Sequence, residues 1–442
     1  MKIKLSDHMT YGRLIRFTLP SIVMMIFTSI YGVVDGFFVS NYVGKTPFAA
    51  VNLIMPFLMI IGGTGFMLGT GGAALVSKTV GEGDKARAEC YFSMIVYTSA
   101  AVGAILAVLG IIFLRPVAIL LGAEGELLEN CIIYGRIILA ATPAYMLQME
   151  FQSFFPAAEK PHLGLAVTVA SGVTNMVLDA LFVAVFDFGL SGAAYATAIS
   201  QIVGGTIPVI YFLGRNGSLL RLCPAMPEVR VLMRVCANGS SEFMSNISMS
   251  LVGMLYNVQL LKWAGEDGIA AYGVMMYVNM IFVSAFIGYI VGAAPIISYN
   301  YGAARHEELH GILKRSLVII GLFSICMFVS AELLSGTMSG IFVGYDPDLH
   351  EMTHHGFMIF SFAFLLAGFA IFSSGFFTAL NDGLTSALIS FLRTLVFQVA
   401  AILVMPLIFG LDGIWLSIVA AEAMAVLISG LFIVAKRKKY GY

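Results

Sequence analysis

Two oxygen-bearing side chains stand four residues apart in an apolar segment, in the run Asn175-Met176-Val177-Leu178-Asp179. On a helix this spacing turns both side chains toward one face. A carboxylate backed by an amide oxygen can replace the water shell of a small hard cation such as Na⁺. It can equally hold a proton, because burial favours the neutral form of a carboxyl group. The pair therefore predicts an ion site, with polar packing between helices as the simpler alternative.

Asp35 is a further acid that lies deep in an apolar segment. A carboxylate in mid-bilayer costs about 2.5–3.5 kcal/mol on insertion scales, so it is expected to face a cavity, a partner or an ion. We expect Asp35 to carry a proton or cation, unless it only caps a neighbouring helix. Gln152 and Thr197 offer neutral oxygens to the same site or serve as packing contacts. For Na⁺, the expected ligands are Asp35, Asn175 and Asp179.

Three other residues are candidates for contacting an organic ligand: Tyr31, Glu150 and Glu242. Acids attract cations, and aromatic rings offer cation–π contacts. The chain is also rich in methionine (25) and phenylalanine (34), whose side chains adapt to varied shapes. A lipophilic cation is therefore the expected ligand, although most apolar side chains simply face lipid or core. For Glu242 the simpler alternative is a partly hydrated carboxylate near a helix start.

The sequence lacks the motifs of other function classes. The run Gly44-Lys45-Thr46 is not a Walker A loop, since Val39 stands where the first glycine is required. The five cysteines have no zinc spacing, and a net charge of −1 excludes the basic surface that nucleic acid needs. We expect no cofactor, no nucleic-acid partner and no enzyme activity. Of the function classes considered, transport driven by an ion gradient is the one left. One charge that crosses a membrane potential of about 100 mV yields about 2.3 kcal/mol for such transport.

Membrane-spanning helices must position these residues. Hydrophobic residues make up 59% of the chain and charged residues 11%, against about 25% charged in soluble domains. A span needs about 20 apolar residues. On this basis twelve spans are predicted, at 14–39, 50–76, 92–113, 131–154, 162–186, 190–213, 235–261, 269–298, 314–335, 355–378, 384–409 and 413–435.

The two halves of the chain repeat each other at an offset of 221 residues, which pairs Ser29 with Ser250, Gly71 with Gly292 and Gly81 with Gly302. Each half holds six spans, an even number, so both enter the membrane from the same side. We predict an all-α membrane protein of two parallel six-helix bundles related by a pseudo-twofold axis along the membrane normal. The predicted domains are an N-lobe (1–213), a cytoplasmic linker (214–234) and a C-lobe (235–442).

The candidate ion ligands break this repeat. Asp35 falls on Tyr256, Gln152 on Ser373, Asn175 on Val396, Asp179 on Ala400 and Thr197 on Ile418. The sequence therefore predicts a symmetric scaffold with its ion chemistry confined to the first half.

Basic residues predict the orientation of the chain in the membrane. With a cytoplasmic N-terminus, 20 of the 24 lysines and arginines lie on the inside. Both termini are then cytoplasmic. Positive charges are nearly absent from the middle of the predicted spans. Arg393 is the exception, and it lies about two turns from the cytoplasmic end of its span. Glu332 and Glu422 lie nearer span ends or the interface between the halves.

These features resemble the MATE (multidrug and toxic compound extrusion) family, and in detail its DinF/MepA-like bacterial branch. The resemblance covers the whole chain and is most specific from 156 to 200, which includes Asn-x3-Asp and the run 189–197. It implies that Asp35, Gln152, Asn175, Asp179 and Thr197 form an N-lobe cluster coupled to H⁺ or Na⁺. Span 10 lacks the acid that NorM-like relatives carry, so no coupling site is implied in the C-lobe.

The resemblance implies a secondary antiporter of the bacterial plasma membrane. It would export lipophilic, often cationic compounds in exchange for H⁺ or Na⁺ by alternating access, in contact with membrane lipids and with no obligate protein partner evident. An exporter of lipid-linked precursors or natural products is the alternative, and an anionic lipid-linked precursor would need several arginines in the cavity. A membrane-embedded enzyme would need clustered histidines or paired acids on loops.

Overall fold

The computed structural model describes residues 3–344 and 346–442, and the regular secondary structure of this part is helical. The α-helices are α1 (Tyr11–Phe38), α2 (Lys45–Gly81), α3 (Lys85–Leu120), α4 (Gly125–Ala140), α5 (Thr142–Ala157), α6 (Pro161–Asp179), α7 (Gly189–Leu213), α8 (Val229–Gly302), α9 (His306–Val343), α10 (Pro347–Ser361), α11 (Phe364–Ala379), α12 (Gly383–Phe391), α13 (Phe397–Phe409) and α14 (Leu411–Tyr440). Three π-helical turns continue α1, α6 and α12, at Val39–Val43, Ala180–Val185 and Leu392–Val396.

These helices form twelve spans. The pairs α4–α5 and α10–α11 are each one span with a bend, of 59° and 47° respectively. Helices α12 and α13 are joined by a π turn into a single span, Gly383–Phe409. Helix α8 holds two spans, 229–264 and 266–302, because Gly265 takes a φ of 65° that side-chain-bearing residues rarely adopt. The structure thus has the predicted all-α architecture, with six spans before the segment 214–228 and six after it.

The segment between α7 and α8 is not helical from 214 to 228. The last part of the predicted linker, 229–234, belongs to α8 instead. We use N-lobe for α1–α7 and C-lobe for α8–α14.

The lobes pack where glycines allow two helix backbones to touch. A Cβ on Gly81 would lie 2.1 Å from the Tyr299 carbonyl oxygen, and one on Gly302 would lie 2.1 Å from the Lys78 carbonyl oxygen. The 221-residue offset relates Gly81 to Gly302 and Lys78 to Tyr299, so the contact is reciprocal. Close approach of this kind is the usual reason for small residues between membrane helices.

The gap between the lobes widens away from the chain termini. Ser29 of α1 and Ser284 of α8 still bridge the lobes, with their hydroxyl oxygens 2.5 Å apart. One turn further along, the repeat-related Gly32 and Gly253 have no atom within 4 Å of the position of a Cβ. The space between the lobes is therefore closed at the end that holds the termini and open at the other end.

An N-terminal segment (residues 3–10) crosses the closed end. The backbone N–H of Leu5 donates to Glu159 of the N-lobe at 2.9 Å, and that of Met9 donates to Glu308 of the C-lobe at 2.8 Å. The Arg305 guanidinium also donates to the carbonyl oxygen of Ser6 at 2.7 Å. Since Leu5 and Met9 are fully buried, the segment ties both lobes together at this end.

Candidate functional site

Four of the predicted ion ligands meet inside the N-lobe. The Asn175 amide donates to the Thr197 hydroxyl at 3.3 Å, and that hydroxyl donates to the Asp35 carboxylate at 3.3 Å. The carboxyl groups of Asp35 and Asp179 contact each other. Helices α1, α6 and α7 each contribute to this N-lobe cluster (Asp35, Asn175, Asp179 and Thr197). Asp179 is the last residue of α6 before the π turn Ala180–Val185, an irregularity that often marks functional sites.

The N-lobe cluster has oxygen acceptors in excess of donors. Both carboxylate oxygens of Asp179 and the amide oxygen of Asn175 are buried without a hydrogen-bond donor among the described residues. Buried acceptors of this kind cost free energy, and a buried charge costs more. Two ionised carboxylates in contact also repel each other. A proton or a small hard cation bound between Asp35 and Asp179 would relieve both penalties.

The oxygens present suit a cation such as Na⁺ as well as a proton, since hard cations prefer carboxylate, amide and hydroxyl oxygens. Within residues 3–344 and 346–442, no group of three His, Cys, Asp or Glu side chains could hold a metal ion. A cation at the N-lobe cluster would therefore need Asn175 or Thr197 alongside the two acids.

Tyr31 and Gln148 extend the cluster by one turn. Tyr31 stands four residues before Asp35 on α1, and its side chain lies beside Gln148 of α5. The Gln148 amide in turn donates to the Ser171 hydroxyl at 3.1 Å. Ser171 could have been found from the sequence, because it precedes Asn175 by the same four residues that separate Asn175 from Asp179.

Tyr134 of α4 is a further residue that the sequence did not indicate. It is buried beside Thr197 and close to the two acids of the cluster. A single tyrosine in an apolar span has no pattern that would separate it from packing. Its position is set by α4, which lies against α7 in the N-lobe.

Two candidates lie outside the N-lobe cluster. Gln152 is buried one turn along α5 from Gln148, and in the described structure its amide nitrogen has no acceptor. Glu150 is fully buried and faces Ser99 of α3 rather than the gap between the lobes. The roles proposed for these two residues stay predictions, and the geometry does not join either to the cluster.

The C-lobe holds a cavity of about 370 Å³. Glu242 lines it, and its role as a ligand contact stays a prediction. The aromatic rings of Tyr256 and Tyr272 stack in its wall, with centroids 5.1 Å apart and planes 5° from parallel. The Tyr256 hydroxyl donates to the Gln398 amide oxygen at 3.0 Å. We refer to this space as the C-lobe cavity.

An ion pair that the sequence did not predict also lines the C-lobe cavity. Arg393 donates through Nε and Nη2 to the Glu422 carboxylate at 2.8–3.0 Å. The two residues lie on different spans, 29 positions apart, so no spacing on one helix reveals the pair. We expected Glu422 nearer a span end and Arg393 about two turns from the cytoplasmic end of its span. Helix α12 starts at Gly383 and α14 at Leu411, which puts both side chains well inside their spans.

The C-lobe therefore carries polar and charged side chains of its own, and the confinement of the ion chemistry to the first half stays a prediction. Tyr256 occupies the repeat position of Asp35, and it forms part of a polar wall with its own charges. Glu242 is also far from its helix start, because α8 begins at Val229. The simpler reading of Glu242 as a carboxylate at a helix terminus does not hold.

Comparison with known proteins adds the following. The model of the family described as MatE matches residues 20–181 and 243–404, one segment in each half. The "Multidrug export protein MepA" of Staphylococcus aureus is 24% identical over 430 residues, which cover 97% of this chain and 94% of that protein.

Solved structures show the same fold. A crystal structure of "MATE in complex with MaL6" superposes with a TM-score of 0.93 at 21% identity, covering 98% of each chain. The outward-facing conformation of a multidrug resistance MATE family transporter gives a TM-score of 0.92 at 21% identity, over 98% of this chain and 97% of that one.

Proposed function

Because the chain belongs to the MatE family, we propose that it is a secondary antiporter that exports lipophilic, often cationic organic compounds in exchange for H⁺ or Na⁺. The family consists of transporters, so the protein is a multi-pass membrane transporter and not an enzyme. We place it in the bacterial plasma membrane with both termini in the cytoplasm. The closed end of the lobes would then face the cytoplasm, and the open end would face outside.

The excess of buried oxygens in the N-lobe cluster is the observation that supports ion coupling. Asp35 and Asp179 contact each other, and the Asp179 oxygens have no donor in the described structure. A proton or Na⁺ arriving from the open gap would fill this site and neutralise charge there. The N-lobe then has different interactions with the ion bound and with the ion absent. This difference lets ion binding shift the balance between the two conformations of alternating access.

The C-lobe cavity supports an organic cation as the substrate. Its acids supply negative charge, and its stacked tyrosines and methionine side chains supply an adaptable apolar surface. The alternative, export of a lipid-linked precursor, would require free cationic side chains for an anionic head group. In the described part of the cavity wall the cationic side chain is that of Arg393, and it is already paired with the Glu422 carboxylate.

Uptake into proteoliposomes tests this function. Purified protein would be reconstituted into vesicles, and ethidium accumulation would be followed with an imposed Na⁺ gradient, an imposed H⁺ gradient, or neither. We expect accumulation with one of the two gradients, and none in vesicles that carry Asp35→Asn. Accumulation that is equal with and without either gradient would rule out antiport.

A further inference from the structure

The charged side chains of the C-lobe cavity do not cancel. In the described wall they are Glu242, Arg393 and Glu422, which sum to one net negative charge when both acids are ionised. Arg393 holds Glu422 through two of its nitrogens and so neutralises that carboxylate. Glu242 has no ion-pair partner among the described residues, although it lies near enough to feel the charge of Arg393.

Glu242 is placed where a ligand from the interlobe gap would meet it. It lines the C-lobe cavity and also a smaller space of about 30 Å³ that reaches Thr70 and Ser153 of the N-lobe. The carboxylate of Glu242, unpaired in the described structure, therefore lies where the C-lobe cavity meets the N-lobe. Around it the wall is apolar and aromatic, and includes Met249 and Met276.

The ion pair is poorly explained by stability alone. The side chains of Arg393 and Glu422 are 16% and 5% exposed, and a pair so buried often contributes no more than well-packed apolar residues would. It also lies in the wall of a cavity, with Arg393 inside the π turn Leu392–Val396, rather than in the packed core of the lobe. Both charges therefore stand where they contribute to the electric field inside the cavity.

We propose that Arg393 sets the charge of the organic cation that the C-lobe cavity accepts. By neutralising Glu422 it leaves Glu242 as a single net negative charge, so the cavity prefers cations with one positive charge over dications of similar shape. This inference rests on the proposed export of organic cations, and it assigns Arg393 as a specificity residue that acts through the cavity field.

Charge-changing variants separate this role from a structural one. Arg393→Gln leaves two negative charges, which favours dications. Glu242→Gln leaves no net charge, which weakens the binding of all cations and of dications most. The double variant Arg393→Gln/Glu422→Gln removes the ion pair but restores a single negative charge, so it should select like the wild type.

Dye binding to the purified full-length protein in detergent micelles is the test. Ethidium carries one positive charge, and propidium carries two on the same ring system. We expect Arg393→Gln to shift the ratio of their dissociation constants toward propidium by about tenfold, the scale of one added charge about 12 Å from the dye at an effective dielectric constant near 20. Glu242→Gln should shift the ratio the opposite way, and the double variant should return it to the wild-type value.

Arg115→Gln is the matched control. It makes the same change of charge on α3 of the N-lobe, where Arg115 pairs with Glu129 and both side chains are more than half exposed. The ratio should stay at the wild-type value in this variant. Equal ratios in all variants, or a double variant that stays like Arg393→Gln, would overturn the inference while leaving cation export intact. Failure of the wild type to bind either dye would instead overturn the proposed substrate class together with the inference.

Discussion

At the scale of single residues, the N-lobe cluster is built from acceptors that lack donors. Asp179 and Asn175 are both almost fully buried, and their oxygens remain unsatisfied in the described structure. Spacing on α6 was sufficient to predict this pair, because both residues belong to one helix. Thr197 and Tyr134 depend on how other helices pack, which explains why Thr197 was one candidate among several and Tyr134 was not indicated.

Removal of either cluster carboxylate should abolish efflux. Asp35→Asn and Asp179→Asn each keep the size of the side chain but remove the group that binds a proton or cation. Efflux of ethidium would be measured in cells that lack other pumps, at equal expression. The matched control is Asp187→Asn at an exposed turn, which should retain efflux. Wild-type efflux in both cluster variants would contradict the site assignment.

At the scale of helices, a π turn interrupts the same span of each lobe, although at different positions of the 221-residue repeat. The fifth span of each lobe contains one, directly after Asp179 in the N-lobe and around Arg393 in the C-lobe. A π turn changes the direction of the side chains that follow it. The sequence predicted both spans from their apolar length, but hydropathy does not reveal a change in helical hydrogen bonding, so these turns and the Arg393–Glu422 pair were not predicted.

Asp382 ties two helices together outside the spans. It caps α12 and accepts hydrogen bonds from Lys436 at 2.7 Å and Tyr440 at 2.6 Å, both on α14. Burial alone would raise the pKa of this carboxyl, but hydrogen bonds from Lys436, Tyr440 and Thr385 outweigh burial and lower the pKa to about 2. A carboxyl group whose pKa is lower in the folded state stabilises that state above its unfolded pKa.

The stability that Asp382 provides should therefore depend on pH. The unfolding temperature of Asp382→Asn should lie below that of the wild type at pH 5–8, and the difference should shrink as the pH falls from about 4 toward 2. Thermal unfolding of both proteins in detergent would measure this difference. Asp187→Asn is again the control, with little difference at any pH. A difference that persisted undiminished near pH 2 would contradict the assigned ion pair.

At the scale of the molecule, the lobes touch through backbone at several glycines as well as through side chains. A Cβ on Gly71 of α2 would lie 2.2 Å from the Val235 carbonyl oxygen of α8. Composition and the 221-residue repeat were sufficient to predict the twelve spans and two lobes, because small residues recur at the same places in both halves. The closed and open ends were not predictable, since they depend on the relative tilt of the lobes.

Alanine at Gly71 should separate the lobes locally and lower stability. Alanine is a better helix former than glycine by about 1 kcal/mol, so Gly71→Ala would raise the unfolding temperature if no clash occurred. Gly253→Ala, at a helical glycine with nothing within 4 Å, is the matched control and should be neutral or stabilising. Unfolding temperatures in detergent would show Gly71→Ala below Gly253→Ala, and the reverse order would contradict the packing described.

The reciprocal contact of Gly81 with Tyr299 and of Gly302 with Lys78 has the form of an isologous interface, in which one surface meets a second copy of itself. A six-span chain with this surface would pair as a symmetric homodimer, and joining two copies head to tail gives the present chain without changing the contact. Once joined, each half could change on its own. One half carries a pair of contacting acids and the other an arginine–glutamate pair, a difference that a homodimer of identical subunits cannot have.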